Sequence, residues 1–121
     1  MERPSAAKGS ELGAVAPGLV EITDRILYGE VWERPGLSKR DRSLLTIGAL
    51  AAANRHQQLE AHIGLGLDNG ISVEEMGEAM LQIAFYAGWP AAVTAAKVAS
   101  AMWPSACSAK TRAVMRKLPK A

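Results

Sequence analysis

The sequence predicts an all-α domain, a compact bundle of about five to six helices that assembles with copies of itself. Three observations predict it. Apolar residues recur at helical spacing through most of the chain and nowhere alternate at period two. Helix start and stop residues punctuate those stretches at intervals of about fifteen residues. Alanine and leucine are abundant and aromatic residues make up only 5% of the chain, a composition that suits close helix packing better than a sheet.

Residues 1–16 are rich in Ala, Gly, Ser and Pro and read as a flexible N-terminal lead-in, with a single helical domain over 17–118. Pro17 suits the first turn of a helix, which Leu19, Ile22, Ile26 and Leu27 continue to about Tyr28. Gly29 is expected to end that helix, and 30–37, with its Pro35-Gly36 pair, to form a connector. Ser38 is a candidate N-cap for the next helix, which runs to about Ala53. That helix carries Leu44, Ile47, Leu50 and Ala51 on one face and Leu45, Ala49 and Ala52 on another. Apolar residues on so much of its circumference call for cover from a second subunit.

A third helix is expected from about Arg55 to Asp68, stopped by Asn69-Gly70. Ser72 and Glu75 form a capping-box pattern at the start of a fourth, which runs to about Ala87. Gly88-Trp89-Pro90 breaks the chain, and Pro90 opens a fifth helix to about Met102. Pro104 is expected to interrupt it, with a last helical piece over roughly 105–117.

The formal charge is +2, and there is no nucleic-acid motif. The basic residues gather most at the C-terminal end, as Lys110, Arg112, Arg116, Lys117 and Lys120. Solvated charge accounts for them, so no nucleic-acid partner is expected. No apolar run is long enough for a bilayer, and the N-terminus has no apolar signal core, so no membrane role is expected. The lone Cys107 makes no internal disulfide and fits a reducing compartment, here the cytoplasm.

Few residues can carry chemistry. His62 lies among Leu59, Ile63 and Leu67, where an imidazole can be a general acid or base or a hydrogen-bonded core residue. His56, six positions earlier, falls on another side of the helix, so the two make a poor metal pair and no metal site is expected. Glu30 sits beside Trp32, where poor solvation would let a carboxyl hold a proton. Arg42 lies in the first turn of the most apolar helix and needs a carboxylate partner from the protein or a substrate. Phe85, Tyr86 and Trp89 cluster at a helix break and can wall a pocket or pack a corner.

An ordered series of short stretches resembles the carboxymuconolactone decarboxylase family. It runs through Gly29-Glu30-Val31-Trp32, Arg34-Pro35-Gly36-Leu37, Arg42 to Ile47, Asn54-Arg55, Leu59, His62, Asn69 to Ser72, and Phe85 to Ala92. The resemblance covers about 19–103 and implies an alkylhydroperoxidase D-like helical fold, a homotrimer or hexamer, and pockets near subunit contacts. It implies a carboxy-lyase that uses no cofactor on a small-molecule substrate such as a carboxymuconolactone, with His62, Glu30 and Arg42 as catalytic residues. Trp32, Trp89, Tyr86 and Arg34 are then substrate-binding.

A sister branch uses a Cys-x-x-Cys pair before the histidine; Arg55 and Gln58 occupy those positions here, which excludes disulfide chemistry there. Close relatives carry His-Leu-Arg where this chain has His62-Ile63-Gly64, and often arginine in place of Glu60. Two fewer positive charges point to a less charged or bulkier substrate than the lactone. Isomerisation or cyclisation through an enolate, and ligand binding without turnover, are the alternative readings.

Overall fold

The computed structural model describes residues 11–106, with side chains described to Met102. All regular structure among the described residues is helical. The chain divides at Lys39 into two units.

The first unit holds α1 (Leu12–Val15), α2 (Pro17–Ile22) and a π-helix (Thr23–Val31). One helical turn therefore lies within the stretch expected to be a lead-in. Pro17 stands at the start of α2, where its missing N–H costs nothing. The helix does not end at Gly29. It continues in π geometry to Val31, and the Trp32 amide donates to the Leu27 carbonyl at 2.9 Å, five residues back. A glycine inside a helix costs about 1 kcal/mol. Continuing the helix lets Tyr28 and Trp32 meet with ring centroids 5.8 Å apart and planes tilted by 41°, both of them buried. Burying rings of that size stabilises by roughly 2 kcal/mol or more each, which outweighs the glycine.

The second unit holds α3 (Lys39–Ala52), α4 (His56–Asp68), α5 (Val73–Ala87) and α6 (Trp89–Ala106). Its core gathers Ile47 and Ala51 from α3, Leu59 and Ile63 from α4, Ile71, Met76 and Met80, and Ala95 from α6. The turn into α4 passes through Asn54 at φ 56°, a left-handed position that asparagine tolerates. The turn into α5 uses Gly70 at φ 102°, as the Asn-Gly stop predicts. Ser72 Oγ accepts from the Glu75 amide at 3.1 Å while Glu75 Oε1 accepts from the Ser72 amide at 3.0 Å, completing the capping box.

α3 and α4 approach closely. A Cβ at Gly66 would stand 2.9 Å from Ile47 Cδ1 and 3.1 Å from Ile71 Cδ1, so only glycine fits without a shift. Beside this contact the Asn69 amide nitrogen donates to Ser43 Oγ at 2.9 Å, and Ser43 is fully buried.

α6 begins one residue before Pro90 and runs two residues beyond Pro104, instead of breaking there. Pro104 lacks the N–H that would bond the carbonyl four residues back, so the helix continues past it at the loss of a backbone hydrogen bond. The helical piece expected from 105 lies, beyond Ala106, outside the described residues, as does Cys107.

Candidate functional site

His62 is carried on α4 between the core residues Leu59 and Ile63, one turn before the glycine that lets α4 reach α3. The imidazole is half-buried, and that burial pushes its pKa below the ordinary histidine value. It is therefore neutral at pH 7, with one ring nitrogen able to donate and the other to accept.

Arg42 lies in the first turn of α3, next to the buried Ser43, and is also half-buried. Its carbonyl accepts from Thr46 Oγ1 at 2.7 Å. His62 and Arg42 each make interactions within the chain. The Asn69–Ser43 hydrogen bond and the Ile47–Gly66 contact join the two helices that carry Arg42 and His62.

The remaining sequence candidates are distributed as follows. Glu30, on the π-helix, and Arg34 are exposed, whereas Trp32 is buried with Tyr28; all three belong to the first unit. Tyr86 and Trp89 belong to the second unit and stand in solvent, 85% and 58% exposed. Trp89 meets Phe85 edge to face, with centroids 6.0 Å apart. The corner of α5 and α6 is thus an open aromatic patch, not a packed joint. His56 is exposed.

Two grooves in the second unit are distinct from His62. One, of about 320 Å³, runs between α4 and α6 and is lined by His56, Gln57, Glu60 and Met102 among others. The other, of about 410 Å³, runs between α3 and α5. Among the described residues no group of three or more His, Cys, Asp or Glu could hold a metal ion, and no helix is long and apolar enough to cross a membrane.

Sequence reasoning missed the Ser43–Asn69 pair. Asn69 read only as a helix stop and Ser43 only as a polar residue in an apolar helix. The available signal was spacing: Ser43, Ile47 and Ala51 fall at intervals of four, and they are the buried stripe of α3.

Residues 17–101 match the model of the carboxymuconolactone decarboxylase family. The chain belongs to that family. Among similar proteins, 4-carboxymuconolactone decarboxylase from Acinetobacter baylyi is 41% identical over 75 residues, which are 62% of this chain and 56% of the relative. Nitrosuccinic acid decarboxylase npaB from Metarhizium robertsii is 38% identical over 79 residues, 65% of this chain and 54% of the relative. The chain spans little more than half the length of the curated family members it matches. The family's span begins at Pro17, where α2 begins, and takes in both units.

Proposed function

We propose that the protein is a decarboxylase that needs no added cofactor and acts on a small, enolisable carboxylic acid, as a homo-oligomer in the cytoplasm. One observation carries the reading: two relatives with different named substrates are both decarboxylases. A lactone carbonyl and a nitro group share the ability to take up the electrons left when carbon dioxide departs.

The chemistry needs a site that strips water from the carboxylate, holds the developing negative charge and returns a proton to carbon. Arg42 orients the carboxylate or holds the oxyanion through its fixed donors. His62, kept neutral by burial, either donates its N–H to the acceptor oxygen or relays a proton to the carbon, taking one up at its other ring nitrogen from Glu30 or water as it gives one up. Glu30 is proposed to orient His62 or to shuttle the proton, and Trp32, Arg34, Tyr86 and Trp89 to bind substrate. The absence of an arginine at Gly64 favours an acid with fewer charges than the carboxymuconolactone.

Exposed apolar side chains support assembly into a trimer or hexamer. Leu45 is 64% exposed, and Phe85, Tyr86 and Trp89 leave most of two aromatic rings and an indole in water. A decarboxylation assay on 4-carboxymuconolactone and on nitrosuccinic acid, with carbon dioxide measured directly, tests the reading. Turnover of either supports it; release from neither, by a folded oligomer and across related nitro and keto acids, refutes it.

A further inference from the structure

The corner where α5 meets α6 presents an open apolar surface. Leu81 and Phe85 stand one turn apart on α5, and Trp89 and Val93 one turn apart on α6. Phe85 is 77% exposed, Leu81 49% and Val93 41%, and Tyr86 and Trp89 lie open beside them. The Phe85 and Trp89 rings meet edge to face across the corner, so the two helices share one face there. No residue between Glu78 and Lys97 is charged. A helix surface kept in water ordinarily carries charge on its solvent side. An aromatic centre with charged groups only beyond its ends is the make-up of a protein–protein contact.

We propose that a second copy of this chain covers this face with its own equivalent face, the two related by a two-fold axis. Charge supports that occupant. With Glu78 and Lys97 lying beyond its ends, the face meets itself without setting like charges opposite each other, as a self-complementary contact requires. Area supports it too. An open aromatic residue offers about 200 Å², so at these exposures the five side chains leave roughly 600 Å² uncovered. Two such faces bring together about 1,200 Å², the size at which specific interfaces begin. Leu45 on α3 offers far less, because its exposed neighbours one turn away are Asp41 and Ala49. A two-fold contact also fixes the parity of the assembly. Head-to-tail contacts alone close a trimer, whereas joining two trimers across two-fold contacts makes a hexamer. The inference rests on the assembly proposed above, not on the decarboxylase chemistry, and selects the hexamer over the trimer.

The test is sedimentation equilibrium of the full chain and of a Leu81→Ser, Phe85→Ser variant, with circular dichroism on both. The variant keeps every charge, leaves Tyr86 and Trp89 intact and removes side chains that stand largely in water, so its helix content should match. The particle mass should halve, from six chains to three. A wild-type trimer, or a variant that stays hexameric, would overturn the two-fold face and leave the assembly standing. A monomeric wild type would overturn both. A second measurement needs no disruptive change: p-benzoylphenylalanine placed at Phe85, followed by photolysis. It should join chains in covalent pairs, with the link mapping within 81–93 of the other copy. Inter-chain links to α3 around Leu45 would make the contact head-to-tail and overturn the proposal. Neither readout uses substrate, so failure of the decarboxylase reading leaves the test intact.

Discussion

The side-chain amide of Asn69 donates to the hydroxyl of Ser43 at 2.9 Å, between the start of α3 and the end of α4, and Ser43 is fully buried there. This polar bond and the Gly66 contact join the two helices that carry Arg42 and His62. The site is thus positioned by residues that take no part in its chemistry.

Removing the hydroxyl should be felt as stability rather than as chemistry. Ser43→Ala leaves the Asn69 amide short of its partner and is expected to cost about 1–3 kcal/mol. Urea unfolding of the variant should show a lower midpoint with the slope unchanged. An unchanged midpoint would mean that water replaces the hydroxyl without loss.

Two glycines should respond in opposite directions. Gly66→Ala forces a methyl within 3 Å of Ile47 Cδ1 and should destabilise by about 1–3 kcal/mol. Gly77, inside α5, has open space at its Cβ position, so Gly77→Ala should stabilise by about 0.5–1 kcal/mol. Thermal denaturation of the two variants side by side checks both the packing at Gly66 and the exposure of Gly77.

The start of α5 offers a test of the capping box. Ser72→Ala removes the acceptor for the Glu75 amide and should cost about 1 kcal/mol. Glu75 gains charge stabilisation from the Ser72 amide, which holds its carboxyl below the usual range. The same variant should therefore leave that carboxylate hydrogen bond, made by backbone, in place. A full return of the Glu75 pKa to its ordinary value in a carboxyl titration by NMR would contradict this.

Burial of His62 links stability to pH. Its folded pKa is lowered, so between that value and the unfolded value near 6.5 the unfolded chain binds more protons. The stability associated with the neutral imidazole is complete above about pH 6.5 and is lost as pH falls through the folded pKa. Unfolding midpoints measured from pH 7.5 downward should fall over this window, and His62→Gln should flatten that part of the curve. An identical pH dependence in the variant would show that other groups govern it.

Much of this was legible in the sequence because local signals and packing agreed. The Asn69-Gly70 stop and the Ser72 and Glu75 capping box are set by nearest neighbours in the chain, and the structure forms both. Gly29 and Pro104 read as breaks, yet helix continues past each. At Gly29 the loss is outweighed by the burial of Tyr28 and Trp32, a gain invisible to local propensity. For the site, the sequence singled out His62 and Arg42, whereas the contacts of Ser43, Gly66 and Asn69 that join their helices are tertiary and visible only in the structure. The apolar excess on α3 was also readable, and the exposure of Leu45 is its structural counterpart.

The most direct test of the central claim is carbon dioxide release, under saturating substrate, by the wild-type protein and by His62→Ala. The substrate is whichever of 4-carboxymuconolactone and nitrosuccinic acid the wild type turns over. Circular dichroism and the oligomeric state should match between the two proteins. The account predicts a fall of about 100-fold or more in turnover, the scale of a lost acid–base group. Turnover within a few-fold of wild type, in a variant that folds and assembles normally, would contradict it.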